Sequence, residues 1–196
     1  ITKETGLCDP TLLEYYEHTH KILYITGTNL AKKKVEYFNH KTHPNMKLLV
    51  ALRISTCVPL YHHGIKYENE YYIDGGILDN TPACVFENEA EKTIVITNDT
   101  SSVENICQPA NLLDYMFSIV SCIGVHLTTN SVTTLSTKYT FVKLLPICNI
   151  FEYDYTSEFV DKLVSYGKMT AEDHLNKKIL LIPKEDERHG DSASTN

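Results

Sequence analysis

The sequence predicts a layered α/β fold. Apolar, β-branched runs bounded by turn residues, at 21–29, 71–73 and 93–97, read as strands. Longer segments with apolar residues three and four apart, at 47–57, 111–127 and from 156 onward, read as helices. The alternation of the two kinds implies sheets covered by helices. At 196 residues the chain makes one domain or most of a larger one, and it is long enough to bury a core. Its 42% hydrophobic and 22% charged content is that of a globular protein.

Residues 1–7 carry no clear signal. Asp9-Pro10 predicts a helix start, with aspartate as cap and proline at the first position, and Leu12, Leu13 and Tyr16 give it an apolar face. Residues 21–29 form a buried strand, paired with 35–38 through the turn at 31–34. Residues 40–44 are a loop. The helix over 47–57 ends before Pro59, and its small, polar second half, Arg53 to Cys57, is expected near a site. A loop at 61–67 leads into the strand Tyr71-Tyr72-Ile73, which stops at Asp74. Gly75 and Gly76 follow, Asn80 or Thr81 can cap, and Pro82 fits the first position of the next helix.

Residues 93–97 are the clearest strand, and 101–109 a loop. Over 111–127 a helix carries Leu112, Leu113, Met116, Val120 and Ile123 on one stripe. A strand follows at 139–145. Thr156 or Ser157 caps a last helix bearing Phe159, Val160 and Leu163, which Gly167 interrupts and Ala171 and Leu175 resume. Residues 179–182 read as a short strand or extension. Residues 183–196, charged and then rich in Ser and Thr, have the composition of a disordered tail.

A formal charge of −7 argues against nucleic acid as a partner, because phosphates need a basic face. The one lysine run, Lys32 to Lys34, is short. Six scattered cysteines with no C-x-x-C pair, most of them in apolar segments, read as reduced core thiols of an intracellular, cytoplasmic protein. The polar N-terminus shows no signal peptide, and the most apolar run, 115–127, is too short for a membrane span. The histidine pairs 18/20, 40/43 and 62/63 lack the spacing of a metal site, so neither metal nor organic cofactor is expected.

The residues that carry chemistry are Asp74, Gly75 and Gly76. A carboxylate at a strand end followed by two glycines suits a ligand site, because glycine permits backbone approaches that side chains forbid. An aspartate near its usual pKa of about 4 is a poor base for a serine unless burial raises it. No G-x-S-x-G elbow and no glycine-rich oxyanion loop occurs in the chain.

Four ordered stretches resemble the C-terminal part of patatin-like phospholipases, lipid acyl hydrolases with a Ser-Asp dyad. They are Leu12-Leu13-Glu14-Tyr15-Tyr16 with the strand ending Thr26-Gly27-Thr28-Asn29-Leu30, then Ala51-Leu52-Arg53-Ile54-Ser55-Thr56-Cys57-Val58-Pro59. The third is Tyr72-Ile73-Asp74-Gly75-Gly76-Ile77-Leu78-Asp79-Asn80-Thr81-Pro82, similar to the family's D-G-G/A box. The fourth is Leu163-Val164-Ser165-Tyr166-Gly167-Lys168-Met169-Thr170-Ala171, like the terminal helix. The resemblance implies an α/β/α sandwich with a mainly parallel sheet over residues 1–182, N-terminally truncated. It implies Asp74 as the dyad's proton acceptor, with Gly75 and Gly76 completing its box. It also implies a lipid or phospholipid substrate. Peripheral membrane contact is expected where Tyr61-His62-His63 precedes the Asp74 strand, with ordinary loop packing as the alternative. The family's nucleophile and oxyanion segments have no counterpart here. Two functional readings follow: the proton-accepting half of an acyl hydrolase, or an inactive remnant acting as a binding module. An unrelated α/β domain is the third possibility.

Overall fold

The computed structural model describes residues 6–98, 109–144 and 155–181. The element order is helix α1 (Leu12–Thr19), strands β1 (Ile25–Asn29) and β2 (Lys34–Phe38), α2 (Leu48–Ser55), β3 (Ile65–Tyr67) and β4 (Glu70–Asp74). A 3₁₀ turn (Gly75–Ile77), a kinked 3₁₀ stretch (Ala83–Lys92), β5 (Ile94–Asn98), α3 (Leu112–Leu135), β6 (Thr140–Leu144) and α4 (Ser157–Leu181) complete it. The mixed α/β class is as the sequence predicts.

The strand directions are not. The larger sheet has the order β2-β1-β4-β3, and every pair in it is antiparallel. Only the small β5-β6 sheet is parallel. The expectation of a mainly parallel sheet is therefore corrected. The reason is connectivity. β1 and β2 are joined by a short turn, and β3 and β4 by the two residues Glu68 and Asn69, both at positive φ. Such connections can only reverse the chain, whereas parallel neighbours need a crossover. β3 falls within the stretch expected to be loop; Asn69, a residue that tolerates left-handed backbone, was the available signal for its hairpin.

Local rules explain other departures. The cap of α1 is Thr11, two residues past the expected Asp9. Its hydroxyl accepts from the Glu14 amide at 3.1 Å, and the Glu14 carboxylate accepts from the Thr11 amide at 2.7 Å. This reciprocal box satisfies two otherwise orphaned donors, which a lone Asp9 cap does not. After Pro82 the chain forms the kinked 3₁₀ stretch in place of the expected helix. In α4, Gly167 is accommodated without a break, and the helix runs through 179–181, where a strand or extension was expected. The expected loop at 101–109, apart from its last residue, and the expected tail at 183–196 lie outside the described residues.

The main core lies between α2, α1 and the larger sheet: Leu12, Ile25, Phe38, Met46, Leu48, Ala51, Ile54 and Tyr72. Gly27 makes this close packing possible. A Cβ there would lie 2.6 Å from the Phe38 ring and 2.7 Å from Ile54. A second, smaller cluster joins Ala83, Val95 and Tyr139, with the Tyr139 hydroxyl donating to the Ala83 carbonyl at 2.9 Å.

One buried polar residue ties the sheet together. Asn29 is fully buried at the end of β1. Its amide donates to Glu36 at 3.2 Å and Glu70 at 2.8 Å, and its side-chain oxygen accepts from the Ala31 and Lys32 amides. Lys32 bridges the same two carboxylates at 3.1 and 2.7 Å. Lys32 and Asn29 together hold the Glu70 carboxyl below its ordinary range. Asn29→Ala should therefore lower the unfolding free energy by about 2–3 kcal/mol at pH 7, because hydrogen bonds to charged groups are lost from a buried position. A lowered folded-state pKa stabilises above the unfolded value and is lost as pH falls through the folded one. The deficit should shrink in acid, and chemical denaturation at neutral and acidic pH measures it.

Candidate active site

Asp74 ends β4, and its backbone is pinned on two sides. Its amide donates to the Cys57 carbonyl at 3.0 Å, and its carbonyl accepts from the Thr28 hydroxyl at 2.9 Å. In register Asp74 faces Gly27 of β1. The carboxylate therefore sits on a scaffold made by β1, β4 and the residues following α2.

Its side chain caps the 3₁₀ turn, with Oδ1 accepting from the Gly76 amide at 2.8 Å. Oδ2 takes no hydrogen bond among the described residues, and no serine hydroxyl there reaches the carboxylate. Burial pushes the Asp74 carboxyl above its ordinary value, while the Gly76 N–H pulls the other way. The result is a partly desolvated carboxylate with one free oxygen, a better base than an exposed aspartate.

The two glycines have different jobs. Gly75 is buried, and a Cβ on it would collide with the Thr26 hydroxyl and lie 2.6 Å from the Thr26 backbone carbonyl carbon. It lets the turn lie flat on β1. A Cβ at Gly76 would lie 2.9 Å from the Asn80 amide oxygen and 3.1 Å from Asp74 Oδ1. That position keeps space beside the carboxylate. Asp79, in the same stretch, accepts from the Tyr37 hydroxyl at 2.6 Å, which anchors the segment to β2.

A cavity of about 730 Å³ opens beside this scaffold, lined in part by Arg53, Thr56, Cys57, Tyr61, His62 and His63. The end of α2, Arg53 to Cys57, and the Tyr61-His62-His63 loop thus share one cavity. Asp74 itself is absent from the lining; Cys57, the acceptor of its backbone N–H, forms part of the wall. The Cys57 thiol is pushed up by burial and by the Asp74 charge, with Arg53 opposing. Cys57 is the one buried thiol among the described residues. Cys8, Cys84 and Cys122 are exposed, against the expectation of core thiols.

The histidines are dispersed. His40 stacks on Tyr16 at 3.8 Å, and His43 packs edge-on against Phe38. Among the described residues no three His, Cys, Asp or Glu side chains come together as a metal site.

A strand-end aspartate, a glycine whose Cβ would meet the backbone of β1, a second glycine beside the carboxylate, and a helix end returning beside them make one continuous unit within the first half of the chain. Residues 11–86 match the family model for Patatin-like phospholipase. The resemblance read from the sequence is borne out over this patatin-like segment, which contains Asp74, Gly75 and Gly76; the fourth stretch, 163–171, lies outside it. Two viral proteins are similar to the chain. One, named probable lipid hydrolase 463L, of Invertebrate iridescent virus 6, is 38% identical over 85 residues, covering 42% of this chain and 29% of that protein. The other, an uncharacterized protein named R571, of Acanthamoeba polyphaga mimivirus, is 28% identical over 131 residues, covering 63% of this chain and 43% of that protein. The chain spans less than half the length of these curated relatives.

Proposed function

We propose that this chain supplies the proton-accepting half of a lipid acyl hydrolase acting on acyl esters of lipids or phospholipids. The observation that carries the reading is the Asp74 carboxylate: buried enough to be a strengthened base, held through Oδ1 alone, and placed in a segment that matches a lipid-hydrolase family. In the complete site a serine hydroxyl approaches Oδ2. Asp74 takes the hydroxyl proton as the oxygen attacks the ester carbonyl. Backbone N–H donors hold the oxyanion, the alcohol leaves with a proton, and water then releases the fatty acid. The serine and the oxyanion donors come from outside these 196 residues, which contain no G-x-S-x-G.

The test is labelling with a fluorophosphonate probe together with hydrolysis of an aryl ester. These 196 residues alone should show neither. The longer polypeptide that carries the elbow serine should show both. Labelling of the 196-residue chain that disappears when one of its own serines is replaced would overturn the assignment.

A further inference from the structure

The apolar stripe of α3 faces the wrong way for a core. Leu112, Met116, Ile119 and Ile123, spaced to share one helix face, are all exposed, and Ile123 retains 51% of its surface. The sequence places Leu112, Met116 and Ile123 on a stripe of the kind that normally faces a core. Asp114 is the one Asp, Glu, Lys or Arg in the helix. Among the described residues α3 is the one helix long and apolar enough, by length and composition, to cross a membrane. The apolar run 115–127 read from the sequence lies inside this longer helix, Leu112–Leu135.

The two halves of α3 differ. From Thr128 the helix is mostly polar, with Thr129, Asn130 and Ser131, then Thr133 and Thr134 after Val132, and this half packs toward Val35, Tyr37 and Leu78 across a shared cavity. A spanning helix would have to bury those side chains in hydrocarbon. A helix whose apolar face is confined to one half suits the membrane interface, lying in its plane.

A second observation says what the face meets. Phe117 of α3 packs edge-on against Tyr61 at 5.0 Å, and Tyr61 lines the cavity beside Asp74's strand. The same cavity rim carries Arg53, His62 and His63. None of these three side chains makes an ion pair or hydrogen bond among the described residues, in a chain of net charge −7. Unpaired donors next to an exposed apolar helix and two interfacial-type aromatics are complementary to an anionic lipid headgroup layer over acyl chains.

We infer that the exposed face of α3, from Leu112 to Ile123, docks on an anionic lipid surface and sets the mouth of the Arg53–His62–His63 cavity against the headgroups. The inference deepens the lipid-hydrolase reading by naming how the substrate is presented. It is tested by binding alone, so the two can fail separately.

The measurement is co-sedimentation of the full-length protein with phosphatidylcholine vesicles, with and without phosphatidylglycerol. Binding should favour the anionic vesicles. Replacing Ile119 and Ile123 together by glutamine should weaken binding about tenfold or more, since two exposed apolar anchors are lost without disturbing the core. Arg53→Gln should weaken binding to the anionic vesicles about fivefold and leave the neutral ones unchanged. Cys122, exposed beside the stripe, should react with maleimide readily without lipid and slowly with vesicles. Equal binding by the double-glutamine variant would overturn the inference. So would slow Cys122 labelling without lipid, which would show that a second copy or another segment of the full chain covers the face. Hydrolysis that fails while vesicle binding persists would remove the enzymatic reading and leave the docking surface standing.

Discussion

Asp74→Asn should lower kcat of the proposed hydrolase about a thousandfold while raising the chain's thermal stability at neutral pH. The first effect follows from the role proposed for Asp74. General-base contributions of this kind are worth about 10²- to 10⁴-fold, and an amide cannot take a proton from serine. The second follows from burial. Burial holds the Asp74 carboxyl above its ordinary value, so the ionised form is disfavoured in the fold. A group with a raised folded-state pKa contributes its stability below the unfolded pKa, about 3.9, and loses it as pH rises through the folded one. Asparagine stays neutral and can still accept from the Gly76 amide. Its advantage should thus appear at neutral pH and vanish near pH 3. Thermal unfolding at both pH values, beside initial rates, separates a lost base from a damaged fold. A variant that loses activity by unfolding would contradict the assignment of Asp74 as a base. The wild-type acid limb of kcat/KM should also sit above the range of an exposed aspartate, for the same reason.

Gly75→Ala should destabilise the fold by about 3 kcal/mol, at the upper end of the usual overpacking range. The new methyl would meet the Thr26 hydroxyl and, at 2.6 Å, the Thr26 backbone carbonyl carbon. A side chain can rotate away, but the backbone of a central strand cannot. β1 is hydrogen-bonded on both sides, to β2 and β4, and all five of its residues are buried. Relief would have to come from moving the 3₁₀ turn, and with it Asp74 and the Gly76 amide that holds Oδ1. Removing the Thr26 hydroxyl in a Gly75→Ala/Thr26→Ala pair should recover only part of the loss, since the Thr26 Cβ, at 2.5 Å, and the carbonyl carbon remain. Full recovery would show that the Thr26 hydroxyl, not the β1 backbone and Cβ, imposes the glycine. Gly76→Ala is the contrast: its nearest neighbours are the ends of the Asn80 and Asp74 side chains, so it should fold and disturb the carboxylate instead. Denaturant titration of the three variants checks the order.

Much of the candidate site was legible because its signals are local. Asp74 after three β-forming residues, then Gly75 and Gly76, states a strand end and a close approach within six positions. The β1–β2 hairpin and the α2 helix before Pro59 were likewise readable from turn and breaker residues. The cap of α1 was misread by two positions because two overlapping cap signals compete, and only the reciprocal Thr11–Glu14 bonds decide between them. The Asn29 cluster was not legible, since Glu36 and Glu70 approach it from separate strands.

By itself the sequence determined where apolar stripes, strand ends and glycines lie, and with them a mixed α/β fold containing a patatin-like segment and Asp74 as its one strand-end carboxylate followed by two glycines. Tertiary structure alone decided three things. It made the larger sheet antiparallel, because pairing direction depends on which strands meet. It brought Arg53, His62 and His63 to one cavity from separate segments. And it turned the α3 stripe outward, because periodicity shows that a helix has an apolar face but not what that face touches.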